Sequence, residues 1–253
     1  MPILSSNDPD VLALKGLHVY HANNSNCSMR VRLLLDEKGL DWISHPIDLG
    51  ARENLEDWYL RINPKGLVPA IVDNGVPVTE SCDILYYLEA EYPEPSFLAA
   101  AGADRTAMDD WVKLANQIQG KAMKTYIYAT TGLTTKSEQE MEHYAQIQPD
   151  QELVDFHRKS LAGFSASDIQ SAMATLTEVF QRMENRLAAH EVLVGDAYTL
   201  ADIAWLPQFV LFSRVGFDFA PYPSIRRWAG RLQQRPAFAS AISNLLTGGF
   251  APS

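Results

Sequence analysis

Residues 63–81 read NPKGLVPAIVDNGVPVTES. Two short apolar runs flank Asp73-Asn74-Gly75, a turn sequence that tolerates positive φ, so 68–81 predicts a β-hairpin. Val68-Pro69 opens the first strand out of a loop. A cis peptide there would bend the chain and turn the Val68 backbone outward. An extended peptide could then pair with it as an added strand. Glu80-Ser81 sits where the second strand gives way to a helix over about 81–91, with Ile84, Leu85 and Leu88 on one face and Pro93 beyond its end. A helix N-terminus offers free N–H groups and a positive dipole end. Ser81 can therefore take a carboxylate through its hydroxyl and N–H, and Glu80 an α-ammonium. Ser81 as a plain N-cap is compatible with that role.

Working outward, 17–22 (LHVYHA) reads as a strand. Ser25 is a plausible N-cap of a helix in which Cys27, Val31, Leu34, Leu35 and Lys38 recur at helical spacing, with Gly39 as its stop. Residues 42–47 (WISHPI) read as a short strand that Pro46 assigns to an edge. Residues 51–62 give a weak helix ending before Asn63-Pro64. The order is β-α-β-α-β-β-α over 17–92, preceded by a loose extension, 1–16. Residues 93–104 read as a linker rich in Pro, Ala and Gly. From 105 to 253 the pattern is helical. It comprises one long helix over 104–129, a polar and less regular segment over 130–166, a helix over 167–190, and two helices in 222–246 split at Pro236. Thr199-Leu200-Ala201-Asp202 fits a capping box, and Pro207 falls inside the helix that follows it. The expected whole is an α/β unit and an all-α unit with a cleft between them.

Composition narrows the function. The chain has 253 residues, 47% of them hydrophobic and 21% charged, which are globular values. A formal net charge of −10 argues against nucleic acid as a partner. The sequence holds two cysteines, too few for a disulfide framework, and both are expected as reduced thiols. No apolar run is long enough to span a bilayer, and the N-terminus does not read as a signal peptide. The expectation is a cytoplasmic protein with no membrane or metal partner.

Four stretches resemble the cytosolic glutathione transferase superfamily: 63–81, the loop and helix SNCSMRVRLLLDEKGL (25–40), VLVGDAYTLADIAW (192–205) and YPSIRRWAGRLQQRPAF (222–238). The resemblance implies a thioredoxin-like N-terminal domain and an all-α C-terminal domain. It implies glutathione as co-substrate, a small aromatic or other electrophilic second substrate, and a homodimer. Val68 and Pro69 would hold the cysteinyl part of glutathione, and Glu80 and Ser81 its γ-glutamyl end. Ser25, six residues before Val31, stands where serine-type transferases place the donor that stabilises the glutathione thiolate, whose pKa must be brought below the free-thiol value of about 8.5.

The SNCS loop is also similar to those of zeta-class maleylacetoacetate isomerases and tetrachlorohydroquinone reductive dehalogenases, in which a cysteine takes part. Cys27 is then either a nucleophile at a helix N-terminus or a core thiol packed with Val31 and Leu34. Ser28 is a helix-start residue that could also contact the thiolate, and Asn26 could donate from its amide. Cys82 is expected as a packed thiol near the same pocket. The segment 137–164 resembles the insertion of bacterial β-aryl etherases. Met123, Tyr126 and Ile127 are expected to line the substrate side of the cleft. The implied reaction is attack by glutathione thiolate on an activated, aromatic-linked carbon, as in β-aryl ether cleavage. A cysteine-assisted dehalogenase or isomerase, and a non-catalytic binding module on the same fold, are the alternatives.

Overall fold

The computed structural model describes residues 3–4, 6–132 and 136–246. The ends of the predicted extension and of the helical part, and the tip at 133–135, lie outside the described residues. The hairpin forms as its sequence requires. β1 (Leu17–His21), β2 (Ile43–Pro46), β3 (Ala70–Asp73) and β4 (Val76–Thr79) make a sheet in the order β2-β1-β3-β4. β1 and β2 are parallel; β3 is antiparallel to both β1 and β4. Asp73 pairs with Val76 around Asn74 (φ 48°) and Gly75 (φ 87°), the two positive-φ positions of a tight hairpin turn. β2 is an edge strand, where Pro46 removes no interior ladder bond.

Side chains alternate across this sheet. Leu17, Val19, Ile71 and Val78 face one core, with α2 (Asn26–Glu37) and α4 (Ser81–Glu91). Tyr20, Ala70 and Val72 face a smaller core with Ile47, Tyr59 and Ile62. The opening residues, expected as a loose extension, pack onto that second face. Pro9–Ala13 forms a helix (α1) capped by Asp8, Val11 is buried, and Leu4 N–H bonds Pro77 O at 2.9 Å. A Cβ on Gly75 would come within 2.8 Å of Leu12 O, so the turn needs glycine for this packing as well as for its φ.

The order β-α-β-α-β-β-α is observed, the second helical turn being the short α3 (Asp57–Leu60). Beyond it run α5 (Ala103–Ile118), a π-turn (Gln119–Met123), α6 (Lys124–Thr131), α7 (Glu138–Ile147), α8 (Gln151–Ala162), α9 (Ala166–Ala189), α10 (Leu200–Arg214), α11 (Pro223–Leu232) and α12 (Pro236–Ala241). The polar segment after 130 thus contains two regular helices. α7 and α9 each start on a capping box, Ser137 with Glu140 and Ser165 with Asp168.

The Thr199–Asp202 box caps α10 and does more. Buried Asp202 also accepts from Leu193 N–H at 3.1 Å and Trp228 Nε1 at 2.8 Å, which ties α10 to α11 and the loop before it. Pro207 lies inside α10. The predicted linker is packed: Lys38 Nζ meets Glu89 Oε1, Tyr92 O and Pro95 O, each at 2.8 Å, and Phe97 is buried. One large core runs through both units, with Trp111, Trp205 and Trp228 in it. No helix among the described residues is long and apolar enough to cross a membrane.

Candidate active site

A cleft of about 1090 Å³ opens between the sheet unit and the helices. Ser25, Asn26, Cys27, Val68, Glu80 and Ser81 lie on one wall; Gln119, Met123 and Ile127 lie on the other. Ser25 is the N-cap of α2, and its Oγ accepts from Ser28 N–H at 3.3 Å. The cap uses a lone pair and leaves the hydroxyl proton to donate.

Cys27 is half-buried and faces the cleft, not the core with Val31 and Leu34. The Gln119 amide lies against its Sγ, with Oε1 at 3.0 Å and Nε2 at 2.9 Å. Asn26 Nδ2 contacts Met123 Sδ at 3.6 Å. Ser28 is placed differently from its expected position. It is fully buried, its Oγ accepts from Ala22 N–H at 3.2 Å, and it does not line the cleft. One helical step past Cys27, its side chain points inward, and its Oγ holds the loop to the end of β1.

The Val68-Pro69 peptide is cis. Ladder pairing in β3 starts at Ala70, and among the described residues nothing pairs with the Val68 N–H or C=O. Glu80, at φ 64°, turns the chain from β4 into α4, so that Ser81 is the first helical residue. Glu80 Oε1 is 2.8 Å from Lys65 Nζ; this hydrogen bond is the main cause of a raised Lys65 pKa.

Ser81 Oγ accepts from Arg30 Nη1 at 2.8 Å. Arg30 is fully buried, reaches Cys82 Sγ at 3.1 Å and Ala204 O at 3.3 Å, and leaves Nη2 without a partner among the described residues. An α-helical arginine in the run MRVRLLL was the available signal, but periodicity cannot say which buried position it reaches. Burial pushes the Cys82 thiol up, with Arg30 opposing. Both cysteines are free thiols.

The helical wall differs in part from expectation. Met123 and Ile127 line the cleft, but Tyr126 does not. Its ring packs on Phe212 and Phe217, at 5.8 and 5.4 Å between centroids. The π-turn at Gln119–Met123 adds a residue to the turn and carries the following face round, so Lys124 and Tyr128 face the cleft instead. From the segment after 130 come Lys136, Tyr144 and His157, none of them singled out by sequence. Burial, then the charges of Lys136, Lys124 and Arg52, push His157 down to about 3, so its imidazole is neutral.

Two family models match the chain: "Glutathione S-transferase, N-terminal domain" over residues 24–91 and "Glutathione S-transferase, C-terminal domain" over 131–236. A zeta-class glutathione S-transferase of Euphorbia esula is 30% identical, the match covering 89% of each chain. Protein LigF of Sphingobium sp. strain SYK-6 is 28% identical over 87% of this chain and 91% of its own. The crystal structure of beta-etherase LigF superposes with a TM-score of 0.82 at 27% identity, covering 90% of this chain and 99% of that one. A probable maleylacetoacetate isomerase of Vibrio cholerae is 26% identical over 90% of this chain. Glutathione is accordingly the co-substrate, and the unpaired Val68 backbone and the Ser81 helix start fit it. The chain belongs to the glutathione S-transferase family.

Proposed function

We propose that glutathione lies along the sheet wall, its cysteinyl backbone pairing with Val68 and its γ-glutamyl end at Glu80 and Ser81, and that its thiolate attacks an activated, aromatic-linked carbon of a second substrate. Ser25 donates its hydroxyl proton to the thiolate and so favours the ionised sulfur. The observation that carries this reading is the N-cap geometry: Ser25 Oγ accepts from the helix and keeps its proton for the cleft. The likeness to beta-etherase LigF over nearly the whole chain supports an aryl ether as the electrophile. We propose further that the active molecule is a cytoplasmic homodimer.

A second reading rests on Cys27. Its thiol faces the cleft two residues from Ser25, in contact with the Gln119 amide, as a cysteine-assisted isomerase or dehalogenase needs. A glutathione-dependent turnover screen over aryl ethers, chlorinated hydroquinones and maleylacetoacetate analogues, run with Cys27→Ser alongside, separates the two. In the ether reading Cys27→Ser keeps most of the activity. Loss of turnover in that variant, with a glutathione mixed disulfide trapped on wild-type Cys27, overturns it in favour of the second. A protein that binds no glutathione in calorimetry is a binding module, and both readings fail.

A further inference from the structure

The cleft contains groups that the thiolate site does not use. Lys124 opens α6 and Lys136 precedes α7, and both line the cleft. Arg52, which also lines the cleft, is paired with Glu140 at 3.1 Å, and the cleft-lining Glu80 is paired with Lys65 at 2.8 Å. Among the described residues neither Lys124 nor Lys136 has a carboxylate at ion-pair distance. Each ammonium rests on a ring instead. Lys124 Nζ is 5.7 Å from the centre of Phe156, and Lys136 Nζ is 4.1 Å from that of Tyr144.

The rings join the two lysines in a continuous wall. Tyr128 meets Phe156 at 5.3 Å and His157 at 6.5 Å, and His157 meets Tyr144 at 5.3 Å. The chain carries a formal net charge of −10, yet this end of its cleft concentrates two cations that have no carboxylate partner among the described residues, beside aromatic faces. A half-buried charge without a counter-charge is unfavourable unless the ligand supplies one.

We propose that Lys124 and Lys136 receive the aryloxide oxygen that leaves when the glutathione thiolate displaces it, with the aromatic wall flanking its ring. The inference rests on the aryl-ether reading above. The glutathione sulfur forms the new C–S bond as the C–O bond breaks. The bonding pair departs on the aryloxide oxygen, which takes a proton from a lysine ammonium, and the amine regains one from solvent. Neutral His157 is a ring of the wall and not the acid.

The electrostatics agree with this role. Burial is the largest influence on both lysines and lowers both. Lys136 is pushed down to about 8 by burial, Arg52 and Lys124, with Glu140 opposing. Lys124 is lowered by burial against the opposing charges of Cys27, Asp150 and Glu80. An acid titrating near neutral pH transfers its proton more readily than an ordinary lysine.

The test uses two readouts on the full chain with S-methylglutathione or glutathione present. The first is the absorbance titration of bound 4-nitrophenol, which needs no turnover. Its midpoint is expected about one pH unit below that of the free phenol, and Lys124→Gln or Lys136→Gln should return it toward the free value. The second is kcat/KM over aryl ethers whose leaving phenols range from acidic to weakly acidic. Each Gln variant should lose about tenfold more on the least acidic phenol than on the most acidic. Lys136→Arg keeps the charge without a readily given proton, so it should restore the nitrophenol midpoint but not the leaving-group dependence.

An equal loss across all leaving groups, a loss confined to the KM for glutathione, or a bound nitrophenol that ionises like the free one in wild-type protein overturns the proposal. If wild-type protein cleaves no ether of the series but still lowers the nitrophenol midpoint, the aryl-ether reading fails and an aryloxide-binding site remains.

Discussion

Replacing Ser25 by Ala removes two things at once, and the structure says how to tell them apart. Ser25 Oγ caps α2 through Ser28 N–H at 3.3 Å, so Ser25→Ala should lower folding stability by about 1 kcal/mol. It also removes the donor proposed for the glutathione thiolate. A hydrogen bond to a charged group contributes about 1.5–3 kcal/mol, which at about 1.36 kcal/mol per pH unit raises the thiol pKa of bound glutathione by about 1–2 units.

The assay is the ultraviolet absorbance of bound thiolate against pH, alongside kcat/KM over the same range. The variant should be about 10- to 100-fold slower at acidic pH, and the deficit should shrink as pH rises through its own thiol pKa. Ser25→Asp keeps a good cap but its ionised carboxylate has no proton to donate, so it should hold the melting temperature and share the kinetic loss. Superimposable thiolate titrations in wild type and Ser25→Ala, or a deficit equally large at high and low pH, would refute the assignment.

Two further outcomes test how the site is held. Lys38→Met removes the partner of a fully buried Glu89 carboxylate and of two carbonyls; urea unfolding should show a loss of about 3–5 kcal/mol, most of it recovered in Lys38→Met/Glu89→Leu. His21 is buried, and its Nδ1 accepts from Arg32 Nη1 at 3.0 Å. Burial, then Arg32 and His45, lower it from 6.5 to about 4. The unfolded chain therefore takes up the proton first. Stability should be full above pH about 6.5 and fall by about 2–3 kcal/mol as pH drops toward 4. Urea midpoints across that range should show a slope that His21→Gln flattens.

Much of the α/β half was legible because its signals are local. Asp73-Asn74-Gly75 specifies a turn, Ser25 and Thr199 specify helix starts, and apolar runs mark β1, β3 and β4. The expectation that Ser25, Cys27, Val68, Glu80 and Ser81 share one cleft came from the family resemblance of the loops that carry them, and all five line the cleft. Ser28 was misplaced because one helical step separates a cleft-facing residue from a buried one, and spacing does not fix the rotation of the helix. Tyr126 was misplaced for a related reason: the π-turn before it changes which face the cleft sees, and residues Gln119–Met123 carry no turn chemistry that announces it. The extension was read as loose and 93–104 as a linker, yet both are packed, through contacts to Pro77, Arg61, Lys38 and Glu89.

The sequence by itself determined the element order, the hairpin and the caps at Ser25 and Thr199, each resting on neighbours within a few residues of one another, and four short motifs in order along the chain marked the family. Tertiary structure alone decided what meets across the cleft. The Gln119 amide at Cys27, the buried Arg30 behind Ser81, and the lysines and rings of residues 124–157 are brought together by the packing of distant helices on one sheet. No local preference encodes those contacts; they arise from burying apolar faces whose partners are dozens of residues away.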